Sequence, residues 1–192
     1  MLRTKSQIIL VLIIACVAIA VVPLTAAIKA TDLREQVSIC SGVIYGKIIA
    51  KEAVRFDYAD RRDVTFTKLT VEGEDLTTGQ KATREIYYMG GMWNGNLDTT
   101  SVSPKEHQTR LGATVVVFYW FSKDVRPLAQ SVGAFKASSF ASVFQVQQGA
   151  GSATVIGIGE GCAIPKNRKI DGLRTEVQQI YRELQAEKLN KK

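Results

Sequence analysis

The segment that most constrains this chain is Thr109 to Phe121, TRLGATVVVFYWF. Arg110 and Gly112 lead into an unbroken β-branched and aromatic run from Thr114 to Phe121. The run is too short to cross a membrane as a helix, and it lacks the 3.6-residue spacing of an amphipathic one. Its composition predicts a strand buried on both faces, at the centre of a sheet or small barrel. The segments before it read as strands that pair with it, and those after it as a return over its far end.

Upstream, Val43 to Lys51 is apolar at most positions, with Gly46 marking a bend or bulge. Val64 to Val71 alternates with period two and predicts the second strand, and Arg84 to Met89 the third. The charged segment Asp57 to Asp63 separates the first two as a hairpin loop, and Leu76 to Gly79 is a turn. Gly90 to Asn96, GGMWNGN, reads as a wide turn that needs positive φ. No helix start and no Lys-Ser/Thr pair follows it, so it does not match a phosphate cradle. Leu128 to Ala137, Ala141 to Val146 and Thr154 to Ile158 complete the strands. Gly157 to Gly161 mimics part of a dinucleotide fingerprint, but without a βαβ context it reads as an exit loop.

Two helices are expected in the body of the chain. A short one covers Thr31 to Val37, capped by Thr31 or Asp32. The other is C-terminal, where Leu173, Val177, Ile180, Tyr181 and Leu184 form one apolar stripe, with Asp171 as its cap and a basic end at Lys188, Lys191 and Lys192. It is expected to close a barrel mouth or cover a sheet face.

The N-terminus predicts export. Arg3 and Lys5 precede the apolar run Ile8 to Val22, which is followed by Pro23 and Leu24-Thr25-Ala26-Ala27, the order of a secretory leader with its best cut after Ala27. Extended to Ile28, the same stretch is long enough to remain as a membrane anchor. Ile13-Ile14-Ala15-Cys16 also resembles a lipidation box with Cys16 as acceptor, although the residues after Cys16 stay apolar. All three readings place the fold outside the cytoplasm, periplasmic or extracellular. The domain plan is residues 1–27 as signal or anchor, 28–41 as lead-in, 42–162 as the β domain, and 163–192 as C-terminal helix and basic tail.

Export makes Cys40 and Cys162 an even pair in an oxidising compartment, and a disulfide between them is expected. It would close a loop of about 120 residues, worth at most roughly 4–5 kcal/mol by chain entropy. Net charge is +7, falling to +5 without residues 1–27, an excess that aids solubility and does not call for a nucleic-acid partner.

The spacing Gly46-Lys47, Val64 to Val71 with Thr78-Gly79, Tyr88-Met89-Gly90-Gly91, Leu111-Gly112 to Phe121 and Leu128 to Phe135 resembles exported bacterial domains of unassigned function, over about residues 42–136. The strand order also looks like the netrin and metalloproteinase-inhibitor modules. That resemblance implies an OB-like β-barrel in a mainly β fold, or failing closure a strongly twisted antiparallel sheet. Those inhibitors chelate zinc through an N-terminal cysteine and its free amine. Cys40 lies about 12 residues inside the expected mature N-terminus, so that mechanism is not implied here.

No residue pattern points to catalysis, a cofactor or a metal. His107 is the sole histidine, and Asp57, Asp60 and Asp63 are interrupted by Arg61 and Arg62 and lack a calcium-loop glycine. The expectation is a non-catalytic exported binding or assembly module, with Tyr87, Tyr88 and Trp93 as an aromatic face for an extended ligand or an envelope protein. The alternative is a small secreted hydrolase or protease inhibitor with an unrecognised site. Membrane contact is expected only through residues 8–28.

Overall fold

The computed structural model describes residues 30–127 and 133–190. The expected leader, Cys16, the first half of the expected strand at Leu128 to Ala137, and Lys191 and Lys192 therefore lie outside the described residues.

Asp32 caps the first helix, α1 (Leu33–Ile39), its Oδ1 accepting from the Glu35 amide at 2.7 Å. Strands β1 (Gly42–Tyr58), β2 (Arg61–Asp75) and β3 (Gln80–Met89) follow as an antiparallel meander. A small hairpin, β4 (Gly91–Trp93) and β5 (Asn96–Asp98), precedes β6 (Thr114–Ser122). Then come β7 (Ala134–Lys136), β8 (Val143–Gln148), β9 (Ala153–Val155), β10 (Arg168–Lys169) and the long helix α2 (Ile170–Asn190).

The strands β1-β2-β3-β7-β6 close on themselves because β6 pairs back with β1. Pairing is antiparallel except between β3 and β7, which run parallel. The result is a closed five-stranded barrel in a mainly β chain, compatible with an OB-like fold. The free edge of β6 is divided: Val115 to Val117 pair with β8, and Trp120 to Ser122 with β7. From β8 the sheet continues outward through β9 and β10.

The central position of β6 explains its composition. Val115, Val117 and Tyr119 point into the barrel, among Ile44, Leu69 and Ile86. Val116 and Phe118 point outward into a second core, where Phe118 meets the Phe144 ring edge-on at 5.8 Å and α2 supplies Leu173, Val177 and Ile180. Every residue from Val115 to Tyr119 is buried. A strand shared by two cores has no polar face to present, which is why its sequence does not alternate.

The C-terminal stripe performs as expected, on the outer sheet face rather than over a mouth. Arg174 clamps α2 to β2 through two guanidinium bonds to Glu74, at 2.9 and 3.0 Å. Asp171 lies inside the first turn and pairs with Arg174. Arg34 of α1 holds Glu183 and Glu187 farther along the same helix.

Three local expectations are corrected. Gly46 is regularly paired opposite Gly73, and the irregularities in β1 fall instead between Ile48 and Ala50 and between Phe56 and Tyr58. The expected loop at Asp57 to Asp63 is mostly strand, reduced to a turn at Ala59 and Asp60, because Val54 and Phe56 pair with Phe66 and Val64 and extend the ladder. Phe56 and Phe66 stack there at 4.5 Å.

The third correction concerns the cysteines: Cys40 and Cys162 are free thiols. Cys162 lies beside Thr31 and Asp32, at the start of α1, whereas Cys40 is the C-cap residue at its other end. Seven helical residues hold the two ends about 10 Å apart, beyond the span a disulfide can close. Both thiols are expected to alkylate without reductant once the chain is unfolded, and Cys162 to react faster than Cys40 in the folded protein. A native mass lower by two hydrogens would contradict this.

Burial pushes the Cys40 thiol up to about 12 and, as the largest cause, raises the phenols of Tyr87 and Tyr119. In the unfolded chain a thiol ionises near ~8.5 and a phenol near ~10. Groups raised on folding stabilise fully below their unfolded values and lose that contribution as pH rises. The urea midpoint is therefore expected to fall above pH ~9, and Cys40→Ala to make that decline shallower while Cys162, also raised by burial, and the tyrosines still contribute.

Candidate functional site

Glycine and asparagine chemistry at residues 90–96 builds one end of the molecule. Asn94 and Gly95 both have positive φ, 48° and 79°, the conformation of a tight two-residue hairpin turn. The expected wide turn is thus the β4–β5 hairpin, folded over the end of the barrel. Gly91 lies so close to β2 that a Cβ there would meet Thr67 Oγ1 at 2.4 Å. Thr67 in turn donates to the Gly90 carbonyl at 2.7 Å.

After the hairpin, the serine- and threonine-rich loop 99–105 and a 3-10 turn (Glu106–Gln108) border a cleft of about 820 Å³. Lys51 and Tyr88 reach it from the barrel wall. A second trough, lined by Arg110 and Leu111, lies across the 3-10 turn, and Glu106 and His107 line both.

The polar groups of the cleft hold one another. Lys51 Nζ donates to both Glu106 oxygens, at 2.7 and 2.9 Å. The Tyr88 and Thr109 hydroxyls are 3.2 Å apart. Ser103 Oγ donates to the Met89 carbonyl at 2.7 Å and accepts from the Thr100 amide at 3.1 Å. Buried Gln108 is the pin of the turn: its carbonyl oxygen accepts from the Lys105 amide, and its Nε2 donates to the Val143 carbonyl at 2.7 Å. Gln108→Ala would strand buried backbone groups, and a loss of about 1–3 kcal/mol is expected, read as a lower urea midpoint.

The rim differs from the floor. Met92 and Leu97 are 59% and 66% exposed, an apolar lip on a polar, internally bonded floor. His107 is exposed, and its carbonyl accepts from the Gln145 side chain.

The aromatic face expected from Tyr87, Tyr88 and Trp93 is not assembled. Tyr87 and Tyr88 are consecutive in β3 and so point to opposite sides. Both are buried, Tyr88 within the barrel and Tyr87 against Phe56. Trp93 is half-buried on β4, with the Arg55 guanidinium 5.8 Å from its ring centre. Of the three, Tyr88 alone lines the cleft. The cleft itself was not expected; the Asn94-Gly95 pair between Trp93 and Leu97 is the signal that points to its hairpin.

At the hairpin tip, Asp57 Oδ1 accepts from the Asp63 amide at 3.0 Å and Asp63 pairs with Arg55. Among the described residues, no group of three or more His, Cys, Asp or Glu side chains is placed to hold a metal ion. No helix among them is long and apolar enough to cross a membrane. Compared with protein-family models, with curated proteins and with solved structures, the chain has no match.

Proposed function

We propose that this chain is an exported, envelope-associated binding module that holds an extended segment of a partner in the cleft at the barrel end. The observation that carries this reading is the contrast between floor and rim. The Ser103 hydroxyl is committed to a backbone carbonyl and Lys51 to Glu106, while Met92 and Leu97 are left exposed. A site that makes and breaks bonds needs a nucleophile within reach of a base. A site that only holds a ligand needs shape, apolar contact and a fixed floor.

Export follows from the order of Arg3, Lys5, the Ile8 to Val22 run and Ala27. The relation to netrin and metalloproteinase-inhibitor modules is proposed for the barrel alone, since OB-type barrels take extended ligands across their strands and loops. The zinc-chelating mechanism is not adopted: Cys40 caps a helix, and burial keeps its thiol protonated.

Site-specific photo-crosslinking in cells tests the reading. A crosslinker replacing His107 is expected to yield one discrete adduct in the envelope fraction. The same group at Lys81, near the start of β3 and remote from the cleft, is expected to yield none. Equal adducts at both positions, or none at either, would reject the cleft as the binding site. Turnover of ester or peptide substrates by purified protein, lost in His107→Ala, would replace binding with catalysis.

A further inference from the structure

The place where the N-terminus joins the fold gives the cleft a second neighbour. The Thr31 amide donates to the Gly161 carbonyl at 3.0 Å, which fixes the beginning of the described chain against the loop after β9. Ile158, three residues before Gly161, lines the cleft. Between Ile28, the end of the apolar stretch, and Thr31 lie only Lys29 and Ala30, at most about 10 Å of chain. A bilayer that held residues 8–28 would therefore lie close to the cleft end of the barrel, with no linker to hold it away.

That end carries the chemistry of an interfacial surface. Met92 and Leu97 form its exposed apolar lip, and Leu111 is 60% exposed across the 3-10 turn. Lys105 and Arg110 are exposed beside them, with no ion-pair partner among the described residues. The acids beside the cleft are Asp98 and Glu106, and Glu106 is held by Lys51, while Asp32, Glu35 and Glu160 lie with Thr31 and Gly161 where the chain enters the fold. Apolar side chains flanked by free cations bind the boundary between anionic headgroups and acyl chains.

We propose that residues 8–28 are retained as a membrane anchor and that the rim of the cleft rests on an anionic membrane surface, through Met92 and Leu97 with Lys105 and Arg110. This rests on the reading of the cleft as a binding site and adds that the site opens at the membrane interface.

The test uses the full chain reconstituted in phosphatidylcholine vesicles with and without phosphatidylglycerol, with detergent micelles as reference. Amide hydrogen exchange is followed in residues 91–98 and 101–111. It is expected to slow several-fold on phosphatidylglycerol vesicles and to stay unchanged at residues 77–82, at the other end of β3. The combined surface variant Leu97→Ser, Lys105→Glu, Arg110→Glu is expected to abolish the slowing while melting normally and remaining with the vesicles. Identical exchange in all three environments would overturn the proposal. So would slowing that is equal without phosphatidylglycerol, or that appears only when envelope proteins are added. An intact mass beginning at Ile28 in cells would reject the retained anchor. A discrete protein adduct from His107 alongside any of these results would leave the binding module standing and remove only its membrane contact.

Discussion

Val116→Asp is expected to yield no folded protein. Val116 is fully buried, paired with Tyr45 on one side and Phe144 on the other, and it faces the core that joins the barrel to α2. A carboxylate there would have no partner, and its desolvation alone is comparable with the roughly 5–15 kcal/mol that holds a domain of this kind together. Loss of the cooperative thermal transition is the readout. A milder pair of variants tests the geometry behind it. Val115→Ala and Val116→Ala face opposite cores, and each is expected to cost about 2 kcal/mol. If one were costly and its neighbour neutral, β6 would have a solvent face and the two-core arrangement would be wrong.

The second large effect is expected at Gly73. It lies opposite Gly46 across the β1–β2 pair, and the backbones approach closely there. A Cβ on Gly73 would stand 2.1 Å from the Tyr45 carbonyl oxygen and 2.5 Å from Gly46 Cα. Neither atom is the end of a movable side chain, so relief requires the strands to separate. Gly73→Val is expected to cost at least about 3 kcal/mol, at the upper end of overpacking effects. Gly172→Ala is the control: nothing lies within 4 Å of its added Cβ. In the first turn of α2 it is expected to stabilise by up to about 1 kcal/mol. Urea midpoints measured together on both variants decide the matter.

How much of this was legible in the sequence depends on the physical signal each element carries. The run from Thr114 to Phe121 announced the two-sided burial of Val115 to Tyr119, although Phe121 at its end is exposed, and the α2 stripe announced its single buried side. The short helix was readable from its capping residues, though the sequence left Thr31 and Asp32 both open and the cap is Asp32. Closure of the barrel was expected only through the resemblance, with an open twisted sheet as the alternative, because no local pattern decides between them. It depends on β7, three residues long and parallel to β3, and three residues carry no usable period. The tyrosines misled because two large residues in succession look like a surface when both faces of the strand are in fact covered.

The cysteine pairing failed for a topological reason. Flanking the barrel in sequence does not bring residues together when α1 lies between them. The cleft escaped notice because its walls come from β1, β3, the hairpin and the 99–105 loop, and none of them carries its function in local pattern. Asn94-Gly95 was the one local clue.

Native-state hydrogen exchange on β6 tests most directly the claim that one strand serves two cores. The amides of Val115 to Tyr119 are expected to exchange only through global unfolding, with an opening free energy equal to that from urea denaturation and the same sensitivity to denaturant. Exchange of these amides through a smaller, denaturant-independent opening, while the β1–β2 amides remained protected, would contradict it.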